Sequence, residues 1–166
     1  MAITADPWKG DQEQVRVSDR ISLAVSDSVH IQAEVQRILY ALATPEYMEA
    51  WLELPEVERV ECHSEQRSFD RFRIDLLASG KRRQSIYGSC LLSKPNRVTY
   101  LWERDYEGNP ARSLVEIHLL GGPTMCVLKL KHSGFASRDE RDWHSAMWRG
   151  SLVKLCRVIE GIRIAS

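Results

Sequence analysis

Between Val57 and His132, apolar and polar residues alternate with a period of two. The alternation is interrupted by turn chemistry at Ser79-Gly80, Lys94-Pro95-Asn96, Glu107-Gly108-Asn109-Pro110 and Gly121-Gly122-Pro123. Six strands in series with short turns predict an antiparallel meander. Because successive side chains of a strand point to opposite faces, Phe72, Ile74 and Leu76 share one face, as do Val98, Tyr100 and Trp102, then Val115, Ile117 and Leu119, then Cys126, Leu128 and Leu130. Arg71, Arg73, Asp75, Glu116, His118, Lys129 and Lys131 are expected to face water. The segment QSIYGSCLL resists this sorting. Ile86, Gly88 and Cys90 lie on one side and Tyr87, Ser89 and Leu91 on the other, and its facing stays open.

Ahead of this region, ISLAVSDSVHIQA alternates in part and reads as a strand, with a break expected near the turn-favouring pair Ser26-Asp27. Val35, Ile38, Leu39 and Leu42 then fall on one helical face. Thr44-Pro45-Glu46 is the chemistry of a second helix start, running from Pro45 to about Leu52: a hydroxyl to cap, a proline at the first turn and an acid near the positive end of the dipole. After the strands, Ser137-Arg-Asp-Glu140 forms a capping box. The helix it opens runs from Arg138 to about Glu160, with Trp148, Leu152, Leu155, Ile159 and Ile162 as its apolar stripe and Trp143 and Met147 alongside. Residues 1–18 show no sustained period and read as a flexible lead-in with Trp8 as a docking point, which leaves 19–166 as a single domain. A sheet with one long helix to cover its apolar face is an α+β architecture.

Composition adds mainly exclusions. The 166 residues are 43% hydrophobic, and 23 Lys plus Arg balance 23 Asp plus Glu, so the chain has the makeup of a globular domain and no electrostatic footprint for nucleic acid. No stretch approaches the roughly 20 apolar residues of a membrane span. The N-terminus lacks the basic-then-apolar order of a secretion signal, so a cytoplasmic location is expected. Cys62, Cys90, Cys126 and Cys156 lie far apart with no C-x-x-C pair and read as reduced, mostly buried thiols.

The richest candidate chemistry lies in KLKHSGFASRDERDWHSAMW, Lys129 to Trp148. His132 and Ser133 are adjacent at a strand end and point to opposite faces, so they are poorly placed to act as a nucleophile and its base. A metal would need His132, His144 and a third ligand such as His63 or a carboxylate to converge, without the usual ligand spacing. Glu103 and Asp105 share a strand face beside a turn and read as a solvated strand end. Neither a metal nor a cofactor is expected.

The order of elements, with HIQAEVQRILYALATPEYMEAW, G-x-C-L-L-x-x-P-x-x-V-x-Y-x-W from Gly88 to Trp102, Gly122 through Thr124, HSGF, and H-x-x-x-W-x-x-x-L-x-x-L from His144 to Leu155, resembles the START-like superfamily. This is the helix-grip or birch-pollen-allergen-like fold, and within it the resemblance is to the group of the heat-shock protein 90 ATPase activator's C-terminal domain, over about Val29 to Ile162. It implies a curved antiparallel sheet wrapped around the C-terminal helix with a mostly apolar pocket between them. Trp51, Phe72, Tyr87, Tyr100, Trp102, Ile117, Cys126, Leu128, His132, Met147 and Trp148 are the candidate lining, with Tyr87, Tyr100, Cys126 and His132 as its polar groups. Related chains usually carry Gly where Met147 stands and a shorter last strand, which implies a narrower pocket here. The resemblance implies noncatalytic binding of a small hydrophobic or amphipathic molecule. The alternatives are a chaperone partner, as for the ATPase activator, and a polyketide cyclase- or dehydratase-like enzyme for which His132 would be the ionisable group.

Overall fold

The structure, a computed structural model, describes residues 23–164 apart from 66–67 and 107–108, and their side chains apart from those at 65–70, 92–93, 105–110 and 162–164. The expected lead-in with Trp8, the Glu107-Gly108 part of one turn, and the Asp105 and Ile162 side chains lie outside this description.

The alternation of apolar residues becomes one antiparallel sheet. Strand β1 (Val25–Ile31) is followed by helices α1 (Val35–Ala43) and α2 (Pro45–Trp51). Strands β2 (Arg59–Glu65), β3 (Ser68–Ala78), β4 (Lys81–Lys94), β5 (Arg97–Tyr106), β6 (Asn109–Gly121) and β7 (Cys126–Ser133) come next, and the long helix α3 (Arg138–Ile164) closes the chain. The strand order is β1-β7-β6-β5-β4-β3-β2, so the meander is sequential and β1 closes it by pairing with β7. The curved sheet lays its apolar face against α3, an α+β helix-grip fold. Every inward residue assigned from alternation in β3, β5, β6 and β7 is buried.

Four details depart from the sequence reading or complete it. The break expected at Ser26-Asp27 is absent, because both residues pair in register with Lys131 and Leu130 of β7 and the ladder outweighs their local turn preference. Thr44 makes no capping bond with its hydroxyl; its carbonyl accepts the Tyr47 N–H (3.0 Å) instead, although Pro45 does open α2. Asp75 sits on the outer face but is only 6% exposed. It accepts from Ser85 Oγ (2.6 Å) and pairs with Arg73 (3.1 Å) and His63 (3.3 Å). Burial raises its pKa, yet Ser85 and Arg73 outweigh burial and hold the carboxyl below its usual range. Finally, α3 continues past Glu160 to Ile164.

The ends of α3 and of the hairpin β3–β4 follow from local chemistry. Ser137 Oγ accepts the Glu140 N–H (3.1 Å) and Glu140 Oε2 accepts the Ala136 N–H (2.9 Å), a reciprocal cap one residue wider than the standard box. Ser79 and Gly80 both have positive φ, the two-residue turn that matches the twist of a hairpin.

The facing of β4, left open by the sequence, is decided by Gly88. It lies between Phe72 and Trp102 in the ladder, and a Cβ there would come within 2.3 Å of Phe72 Cζ and 2.6 Å of the Leu101 carbonyl oxygen. The ring of Phe72 takes the space a side chain would fill, so Ile86 and Cys90 point inward and Tyr87, Ser89 and Leu91 outward. Gly88→Ala is expected to destabilise the fold by about 1–3 kcal/mol, because one of the two clashing atoms is backbone that cannot swing away. Denaturant unfolding with an unchanged m-value checks this, and a neutral result would contradict the packing of Phe72 over Gly88.

Candidate functional site

The seam between sheet and α3 is built by four inward rows, from β3, β5, β6 and β7, by Trp51 of α2 and by one helical stripe. Ten of the eleven side chains expected to line it converge there: Trp51, Phe72, Tyr100, Trp102, Ile117, Cys126, Leu128, His132, Met147 and Trp148 are all buried, none more than 2% exposed. Trp51 stacks on Trp148 (6.3 Å between ring centres), and Phe72 meets Tyr100 and Trp102 edge to face. The Trp51 indole N–H donates to the Ala41 carbonyl (3.0 Å) and the Tyr100 hydroxyl to the Leu42 carbonyl, so both tie α1 to the core. In this state the walls pack directly against one another.

Tyr87 does not join them. It is 50% exposed on the outer face, with Leu101 at 51% nearby. Both lie along a groove of about 540 Å³ that crosses β3 to β6, flanked by Arg71 and the Glu103–Arg112 ion pair (2.8 Å). A second groove, about 590 Å³, runs along the solvent side of α3 past Arg149, Lys154 and Arg157. His63 is also outward, across the sheet from His132 and His144, so the three histidines do not converge.

The polar heart of the site was only partly legible. Ser133 and His132 do point to opposite faces, but a different hydroxyl meets the imidazole: Ser113 Oγ lies 2.7 Å from His132 Nε2. Ser113 is one strand step before Val115 on the inward row of β6, so extending that row by two residues would have found it. The other nitrogen, Nδ1, accepts the Trp148 indole N–H (2.9 Å). An indole nitrogen can only donate, so Nδ1 is unprotonated, the ring is neutral, and Nε2–H donates to Ser113 Oγ. The lone pair that a general base would use is therefore occupied. His132 is fully buried, and burial reinforced by neighbouring His144 pushes its pKa down to about 2.

His144 extends the helical stripe by one turn before Trp148. Its ring lies 4.7 Å from that of His132, and its Nδ1 donates to the Glu140 carbonyl (2.8 Å). Burial lowers its pKa to about 3, the Glu140 bond opposes this, and Arg104 adds to the lowering. Among the described residues its Nε2, like Nε1 of Trp102, is buried without a hydrogen-bond partner. Arg104, two residues beyond Trp102 on the inner face, lies 3.6 Å over the Trp143 ring at the end of the seam beside His144.

These features define a START-like helix-grip protein. The sequence profile of the family described as activator of Hsp90 ATPase homolog 1-like protein matches residues 32–160, and the chain belongs to that family. No curated protein matches the sequence significantly. Among solved structures, the chain is similar to protein CV1439 from Chromobacterium violaceum, with 20% identity, a TM-score of 0.71, and coverage of 84% of this chain and 98% of that one. A protein from Arthrobacter aurescens gives 13%, 0.69, 86% and 89%. DynU16, a protein of the dynemicin biosynthetic locus, gives 19%, 0.60, 82% and 47%. At these identities the likeness is one of fold. No helix among the described residues is long and apolar enough to cross a membrane.

Proposed function

We propose that this protein binds, without chemical turnover, a small amphipathic molecule between the sheet and α3. The observation that carries the noncatalytic part is the Trp148 N–H on His132 Nδ1, which leaves the buried Ser113–His132 pair without a free base. The binding part is supported by the family's fold and by an apolar wall that holds His132, His144 and Ser113 out of water, a combination of apolar surface with few polar groups that suits ligand pockets. The walls touch in the structure, so a guest has to part them. The Arg104–Trp143 contact, at the seam next to His144, is the side-chain pair it would displace.

A melting-temperature screen against hydrophobic metabolites tests this reading. A binder at a hundredfold excess over its Kd adds about 2.7 kcal/mol, which raises the Tm by roughly 5–10 °C for a chain of this size. Silence across a broad panel, together with co-elution with a purified bacterial Hsp90, would instead favour the chaperone-partner reading that the family description supports.

A further inference from the structure

We propose that Trp102 and His144 together form a binding site for one neutral hydroxyl group, that of an alcohol or phenol guest held between the sheet and α3. The inference rests on the ligand-binding reading above and names the group that the ligand presents.

Buried polar atoms are almost always hydrogen-bonded, and two that are not, in neighbouring rings, call for a common partner. The Trp102 and His144 ring centres are 6.3 Å apart, and Trp102 Nε1 and His144 Nε2 both lack a partner among the described residues. Their chemistry is complementary. Trp102 Nε1–H can only donate. His144 already gives its Nδ1 proton to the Glu140 carbonyl, so Nε2 of the neutral ring can only accept. The missing partner must accept one hydrogen bond and donate another, which an O–H does through a single atom where an amide needs two. A ketone or ether cannot donate to His144. A carboxylate has no proton to give, and an ammonium cannot accept from Trp102. An ammonium would also bring a positive charge among Trp102, His132, Phe135 and Trp143, whose rings pack against that of His144. A single water has the same donor and acceptor capacity, so the test must separate a guest's hydroxyl from a resident water.

The probes are 2-naphthol and 1-decanol, each with its methyl ether, titrated into the full chain by thermal shift and calorimetry. The ether keeps the acceptor and nearly the same bulk but loses the donor, and each alcohol is expected to bind roughly tenfold or more tighter than its ether. In His144→Phe that ratio should fall to about one. In wild-type protein carrying 15N-histidine, the Nε2 resonance of His144 should move on adding the alcohol and not the ether, which decides the matter even where the variant fails to fold. Equal binding of alcohol and ether overturns the hydroxyl site and leaves the ligand-binding reading standing. No binding by any probe, or an ordered water between Trp102 and His144 that stays when the alcohol is bound, overturns the hydroxyl site, whereas the ligand-binding reading falls only with silence across the broad panel above.

Discussion

Between pH 7 and pH 4.5 this protein should lose about 5 kcal/mol of stability, a large share of the roughly 5–15 kcal/mol that folded domains possess. The two buried imidazoles set this expectation. In the unfolded chain they protonate near 6.5, whereas in the fold burial holds His132 to about 2 and His144 to about 3. Through the window between, the unfolded state carries two more protons than the native one, so stability falls as the pH falls. The limiting slope is about 1.4 kcal/mol per pH unit for each histidine. Protonation of His132 would also put a proton on the nitrogen that accepts from Trp148. Thermal melts from pH 7.5 to 4.5 should show the Tm dropping by more than about 10 °C, and His132→Gln or His144→Gln should each remove about half of the slope. A flat profile down to pH 5 would mean that these rings are solvated or paired differently. The carboxyl of Asp75, whose pKa is lowered, acts in the same direction but only as the pH falls through the ordinary carboxylate range, so the two effects separate on the pH axis.

Trp148→Ala should be the most damaging single truncation, at about 4–8 kcal/mol. Removing a fully buried indole costs about 3–5 kcal/mol in lost burial and cavity, and the loss of its N–H strands His132 Nδ1, which adds about 1–3 kcal/mol. Trp51, stacked on Trp148, loses its facing ring as well. Trp148→Phe separates the contributions, because it keeps most of the apolar volume and deletes the donor. It should cost about 2 kcal/mol and should shift the His132 tautomer, visible in 15N-histidine spectra. Should Trp148→Phe be neutral with an unchanged tautomer, the indole is not the group that fixes His132, and the argument against a base at this position fails with it.

Much of this architecture is written locally. The period of two over Val57 to His132 and the stripe Trp148, Leu152, Leu155 and Ile159 specify strands, helix and inward faces, because backbone geometry alone relates neighbours at these spacings. Nine of the ten residues buried at the seam follow from those same rows, and Trp51 comes from α2. Tyr87 was misplaced because β4 is the one strand whose two faces are equally apolar. Only the ring of Phe72, from another strand, breaks that tie over Gly88.

What the chain by itself determined is therefore the class of fold, the order of its elements and the set of residues that meet at the gripped seam. The tertiary structure alone decided which polar groups face each other there. Ser113 reaches His132 across 19 residues and Trp148 reaches it across 16, through strand register and the rotation of α3 about its axis, and the orphaned atoms of Trp102 and His144 are defined by the same two variables. Alternation fixes a side but not a partner. Whether a buried histidine is a base, a ligand contact or a satisfied core residue depends on hydrogen bonds a few tenths of an ångström wide, which no spacing along a sequence can specify.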